Sequence, residues 1–184
     1  MKPVNEPISS LVAGSMVPES IIEKPVQQTA LNMLQQGCFS CRTMSEALDL
    51  AQFLAHCYPK PREALVGIAE LLKNAVEHGN LGISFEEKKQ YMIDGTLEQE
   101  INQRALDVRN AQKNVQVMFD RLEDEIRLII SDEGKGFEWH PYLYLDPARV
   151  EEPNGRGILL AKEITFDKLE YNQIGNMVIG SVFI

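Results

Sequence analysis

Gly67-Ile68-Ala69-Glu70-Leu71-Leu72-Lys73-Asn74-Ala75-Val76-Glu77-His78-Gly79-Asn80 is the stretch from which the fold is read. Upstream, Pro61 stands where a helix admits proline, in its first turn, and Gly79 stands where helices stop. Leu65, Ile68, Ala69, Leu72 and Val76 recur at helical spacing and share one apolar stripe. Glu70, Asn74 and His78 follow at intervals of four residues and stack on the opposite side. Asn and His are mediocre helix formers, so intrinsic preference does not account for them there. The segment reads as a helix that buries one face and presents a carboxylate, an amide and an imidazole in a row. A merely solvated helix face would show the same pattern, and the rest of the chain decides between the two.

The 184 residues are 44% apolar and 24% charged, which suits one globular domain with a sizeable core. A net charge of -9 and a pI of about 4.9 argue against a nucleic-acid backbone or an anionic membrane as the main partner. A nucleotide is still admissible, because local N–H groups and a metal can outweigh global charge. No apolar run approaches the ~20 residues that span a bilayer. Met1-Lys2-Pro3-Val4-Asn5-Glu6-Pro7 is not followed by a signal-peptide core, and three cysteines do not make a disulfide scaffold. A reducing cytoplasm is the expectation. Cys38-Phe39-Ser40-Cys41, with His56-Cys57 beyond, has the makings of a zinc site. Residues three apart on a strand face opposite sides, however, so small buried thiols are expected instead.

Residues 1–36, punctuated by Pro3, Pro7, Pro18 and Pro25, read as an extension of uncertain role, with a short helix between Val26 and Leu34. A main domain over 37–184 follows. Gly37 to Arg42 reads as a strand. Thr43-Met44-Ser45-Glu46 is a capping box opening a helix to about Tyr58. After the Glu70 helix, Ser84-Phe85-Glu86-Glu87 and Thr96-Leu97-Glu98-Gln99 repeat the capping pattern. Charged surface helices over about 84–92 and 96–112 are expected. Val115, Val117 and Phe119 alternate with polar residues as on a half-buried strand, and Glu123-Asp124 suits a hairpin turn. Ile126 to Ile130 reads as a central strand. Glu138 to Pro153 is long and irregular, as lids and binding loops are. A helix over Gly155 to Ile164 and a closing hairpin around Gly175-Asn176 complete a two-layer α+β sandwich. Its mixed, mostly antiparallel sheet is covered on one face by helices.

The central strand runs into Asp132-Glu133-Gly134-Lys135-Gly136. A carboxylate at a strand end can accept a hydrogen bond from an exocyclic amine such as that of adenine. The two glycines let the backbone turn tightly and approach a ligand. Gly155-Arg156-Gly157 at a helix start offers free N–H groups to phosphate, and Arg156 or Lys135 could add a cation. Each glycine pattern is weak by itself, since Asp and Gly are ordinary turn residues.

Taken together and in this order, the Glu-x-x-x-Asn helix, the D-x-G-x-G strand end and the G-x-G helix start resemble one ATPase superfamily. It is shared by DNA gyrase, histidine kinases, a heat-shock chaperone and a mismatch-repair protein. Within it, E-x-x-x-N-A-x-x-H-G with G-R-G-I-L-L-A looks most like bacterial anti-sigma factor serine/threonine kinases. The resemblance covers about Phe39 to Ile184 and implies a histidine kinase-like ATPase fold binding ATP and Mg²⁺. It implies that Asn74 coordinates Mg²⁺ and that Asp132 binds the adenine amine. Gly134 and Gly136 would shape the adenine pocket, with Lys135 beside them. Gly155, Arg156 and Gly157 would hold phosphates, and Glu70 would take the proton from an attacking hydroxyl. His78 either joins the nucleotide site or caps the helix end as a cation. Lys73 reads as solvated, Trp139 and Tyr142 as packing, and His140 as lid surface. The stretch from Ser84 to Gln112 departs from the family as a helical insertion that would dock a partner or restrict access to the nucleotide.

The resemblance implies a regulatory protein kinase whose partner is a sigma factor, an anti-anti-sigma-like phosphoacceptor or a response regulator, and it is compatible with a homodimer. A catalytic module of a two-component system is the alternative, although none of His56, His78 and His140 has a phosphoacceptor context. A nucleotide-gated binding module without turnover uses nearly the same residues. A gyrase-like assembly is disfavoured because no transducer segment follows Ile184.

Overall fold

The computed structural model of the protein describes residues 28–144 and 154–184. Residues 1–27 of the expected extension and 145–153 of the expected lid lie outside the described residues. The end of the extension forms a short helix, α1 (Gln28–Asn32), and places Leu31 in the main core.

Five strands follow: β1 (Gln36–Cys41), β2 (Val115–Arg121), β3 (Glu125–Ser131), β4 (Lys168–Tyr171) and β5 (Met177–Phe183). They form one open sheet in the order β1-β2-β3-β5-β4. Every described pairing is antiparallel, which corrects the expectation of a mixed sheet. The β2–β3 and β4–β5 hairpins are antiparallel by construction, and the long connection from β1 also brings the chain back in the opposite sense. One face is buried through Cys41, Val115, Val117, Phe119, Ile126, Leu128 and Ile130. The other carries Cys38 and Met118, both exposed, beside half-buried Ile129. Cys38 and Cys41 thus face opposite sides of β1, as the period of two requires. The result is a two-layer α+β sandwich with β3 at its centre.

The helical layer consists of α2 (Met44–Ala55), α3 (Pro61–Asn74) and α6 (Gly157–Leu160), with α3 packed against both others. Thr43 and Glu46 cap α2 reciprocally, and Ser84 and Glu87 do the same for α4 (Phe85–Asp94). The third expected capping box, at Thr96, does not form. The Thr96 N–H closes the end of α4 on the Tyr91 carbonyl, and its side chain does not cap α5 (Leu97–Leu106). That helix also stops short of residue 112, where the Asp107 carboxylate accepts the Arg109 N–H and turns the chain. Neither α4 nor α5 contains a buried residue, consistent with a surface position.

Ala64, Leu65, Ile68, Ala69 and Leu72 of α3 are buried. Each Leu or Ile so placed contributes about 1.5–3 kcal/mol, more than the roughly 1 kcal/mol that a glycine costs within a helix. That glycine, Gly67, has a packing reason. A Cβ there would lie 2.4 Å from the Thr165 hydroxyl. This hydroxyl accepts the Gly67 N–H and donates to the Glu63 carbonyl, bridging the two groups that a helical bond would join.

Helices α3 and α6 each continue into a π turn, Ala75–Asn80 and Ala161–Thr165. The helix expected over Gly155 to Ile164 therefore begins two residues later and widens halfway. A π turn advances less per residue than an α turn, so residues four apart no longer stack across it.

The loop after β3 lies backbone-to-backbone on the β4–β5 turn. Gly136 has φ +76°, and a Cβ on it would sit 1.7 Å from the Ile174 carbonyl oxygen. Gly95 has a similar φ of +70° but open space around it. In urea denaturation, Gly95→Ala is expected to cost about 1 kcal/mol from backbone strain alone, and Gly136→Ala at least about 2 kcal/mol more from the added clash. Equal losses would refute the backbone-to-backbone contact.

Candidate functional site

Four segments of chain meet at one end of the sheet. Glu70 and Asn74 come from α3, and His78 from the π turn that follows it. Asp132, Gly134, Lys135 and Gly136 come from the end of β3, and Gly155, Arg156 and Gly157 from the start of α6. All of them line a single cavity of about 1460 Å³. That is ample for a nucleotide, since small-molecule sites are commonly ~300–1,000 Å³.

The π turn after α3 and the β3 end touch with no side chain on the Gly79 side. A Cβ on Gly79 would lie 2.3 Å from the Asp132 carboxyl carbon, and one on Gly134 would lie 2.5 Å from the Gly79 carbonyl oxygen. The Gly134 N–H donates to Asp132 Oδ1 at 2.8 Å. The Asp132 N–H donates to the Asn176 carbonyl, so the closing hairpin also fixes this corner. Burial raises the Asp132 carboxyl to about 6, against the Gly134 hydrogen bond and the Lys113 charge. Tyr171 lines the same cavity, and burial together with the Asp132 charge pushes its hydroxyl well up.

Glu70 is buried, and a Cβ on Gly157 would lie 2.5 Å from its Oε2. The carboxylate of α3 and the start of α6 are thus in direct contact. Lys73 donates to Glu70 Oε1 at 2.5 Å and is largely buried, which corrects the expectation that it is solvated. Asn74 lies half-exposed on the cavity wall, one helical turn beyond Glu70.

His78 does not continue the Glu70–Asn74 row. The π turn rotates it, and its Nδ1–H donates to the Ile83 carbonyl at 2.5 Å. Burial, reinforced by the Lys88 charge, holds this imidazole below its ordinary range. In place of the cationic helix cap considered above, burial favours a neutral ring that holds the Ile83 carbonyl just ahead of α4. Lys135 and Arg156 lie on the cavity wall, Lys135 exposed and Arg156 partly so. Trp139 stacks on Tyr171 with ring centres 5.2 Å apart, as a packing residue would. Tyr142 lines the cavity, against Phe85 and Phe137.

Several residues that shape the site carry no mark in the spacing. Asn80 is 2% exposed, and its Oδ1 accepts the Glu133 N–H at 2.8 Å. Lys113 donates to the Asn80 carbonyl, and Glu133 in turn accepts the Asn114 N–H. Asn154 is buried, with its amide donating to the Phe85 carbonyl at 3.0 Å. Glu77 is buried against Lys88 of α4. Only the position of Asn80 and Asn154 beside glycine motifs hinted at these roles.

No family model matches this chain, and no curated protein matches it closely enough to count as a relative. Among the described residues, no helix is long and apolar enough to cross a membrane.

The buried Asp132 gives a signed pH test. Its carboxyl titrates higher in the folded protein than in the unfolded chain, so the fold binds the extra proton between about pH 4 and 6. Stability therefore falls as pH rises through that window. Asp132→Asn should stabilise the protein at pH 8 by about 1–2 kcal/mol after allowance for partial solvent screening, and the gain should vanish below about pH 4. Urea denaturation of both proteins at the two pH values measures the difference; a gain that is the same at both refutes the burial penalty.

Proposed function

We propose that this chain has a histidine kinase-like ATPase fold and binds ATP with Mg²⁺ as a regulatory serine/threonine protein kinase of the anti-sigma-factor type. The observation that carries this reading is the contact between Glu70 and Gly157. It joins the segment suited to accept a proton to the segment suited to hold phosphate. The rest of the cavity fits a nucleotide. Gly134 and Gly157 line the cavity without a side chain of their own, because Gly79 with Asp132 and Glu70 take the space a Cβ would need. Asp132 offers a carboxylate beside the aromatic side chain of Tyr171, which suits a purine carrying an amine. Asn74, an uncharged oxygen donor on the wall near Glu70, suits a magnesium ion that keeps most of its waters. Such an ion supplies neutralisation of phosphate charge.

The roles follow from the chemistry of each group. Asp132 selects the base, and its ionised form is the one that accepts two hydrogen bonds. The Gly155–Gly157 backbone and Arg156 orient the phosphates. Glu70 removes a proton from the hydroxyl of an acceptor protein. Phosphoryl transfer otherwise depends on positioning and charge. An acidic chain in the cytoplasm acting on a partner regulator completes the reading, with a sigma factor, an anti-anti-sigma-like protein or a response regulator as that partner.

One observation favours a second reading. Lys73 already occupies one Glu70 oxygen. A nucleotide-gated binding module would tolerate that pairing permanently, whereas a kinase must free the carboxylate in the complex.

Calorimetry with ATP tests the site. Micromolar to millimolar binding is expected, lost in Asp132→Ala and deprived of its Mg²⁺ dependence in Asn74→Ala. Absence of ATP binding by the unaltered protein at millimolar concentration overturns the nucleotide reading. The kinase reading is tested separately with labelled ATP and candidate acceptors. Glu70→Gln should bind ATP as before and lower transfer by about 10²-fold or more, the usual scale for a general base. Undiminished transfer by that variant rules Glu70 out as the base.

A further inference from the structure

Helix α4 lies in the insertion, outside the motifs on which the site was built, yet its first residue touches the start of α6. Gly155 has φ +89°, and a Cβ on it would lie 2.6 Å from the Phe85 ring. The Asn154 amide donates to the Phe85 carbonyl at 3.0 Å. The Phe85 ring also meets Tyr142, with centres 6.2 Å apart. Phe85 therefore holds the chain immediately before Arg156 and Gly157 through both its ring and its backbone.

The base of α4 is itself fixed from three directions. Ser84 and Glu87 form a reciprocal cap. Arg104 of α5 reaches Glu87 at 2.6 Å and the Gly82 carbonyl at 3.0 Å. Lys88 is paired with buried Glu77 in the π turn after α3. The insertion is thereby tied to α3 at one point and to the glycine loop at another.

We propose that Phe85 is a positioning residue of the nucleotide site: it holds Asn154 and Gly155 so that the Gly155–Gly157 backbone is preformed for phosphate. This rests on the nucleotide reading above. The insertion is then a working wall of the site in addition to any docking role. Holding a glycine loop in one conformation before the ligand arrives removes an ordering cost from binding. The contribution falls on phosphates and not on the base, because Asp132 is held independently by Gly134 and Asn176.

Two measurements on the full chain test this, with Phe85→Ala and with Asn154→Ala, which removes the amide contact alone. Hydrogen exchange without nucleotide reads the loop directly. Amides of residues 155–158 should exchange faster in both variants, while those of β2 and β3 keep their protection. Calorimetry should show ATP affinity reduced about tenfold, with adenosine affinity within about twofold of the unaltered protein. Unchanged loop exchange overturns the proposal. So does faster exchange throughout the sheet, which would make Phe85 an ordinary structural residue, and so does equal weakening of ATP and adenosine. If the unaltered protein binds no ATP while the loop still loosens in the variants, the phosphate role is overturned and Phe85 is left as a loop anchor only.

Discussion

Everything at the site depends on how closely the end of the central helix approaches the end of the central strand. At Gly79 the backbone lies against the Asp132 carboxylate with no space for a methyl group. Gly79 brings no side chain to this contact, so its geometry is set by the sandwich behind it. The α3 stripe shares one core with Val117, Phe119, Ile126 and Leu128, and that packing sets the distance. The hairpin turn at Asn172–Asn176 fixes the direction, through the bond between Asn176 and Asp132. Opposing forces act on the carboxylate buried at that corner: burial favours its protonated form and raises its titration to about 6, while the Gly134 N–H and the Lys113 charge favour the anion. Such a group gains from a ligand that brings a donor.

Most of this frame was legible in the sequence because the governing patterns are periodic. The period of two in Val115–Phe119 and the helical period of Leu65–Val76 assigned the faces correctly, and reciprocal Thr43–Glu46 and Ser84–Glu87 caps placed two helix starts. Glycines in the site were legible for a different reason. Each glycine motif is an ordinary turn pattern, and it was their order along the chain that singled them out as a set lining one cavity.

What was not legible depends on contacts between distant segments or on the geometry of a single turn. Thr96 had the composition of a cap, but its N–H was already committed to ending the preceding helix. His78 stood in register with Glu70 and Asn74 only for an ideal helix, and the π turn broke that register. Lys73 looked solvated because nothing local showed that Glu70 would be buried beside it. The links among Asn80, Glu133, Lys113 and Asn114 join residues 19 to 53 positions apart, where no spacing rule reaches. The parallel component expected in the sheet failed for a similar reason: strand order is set by where long connections return.

The two ends of the helical excursion through α4 and α5 are fastened close together on Asn80 and its neighbours. His78 grips Ile83 at one end, and Asn80 receives Lys113 at the other. Between them the chain travels out through α4 and back through α5, with exposed Ile93 toward the turn between the two helices. A segment anchored in this way can gain or lose residues at its tip without moving its base, since lengthening a closed loop adds little entropy. This excursion therefore divides into a root constrained by the cavity and a tip free to vary in sequence and length.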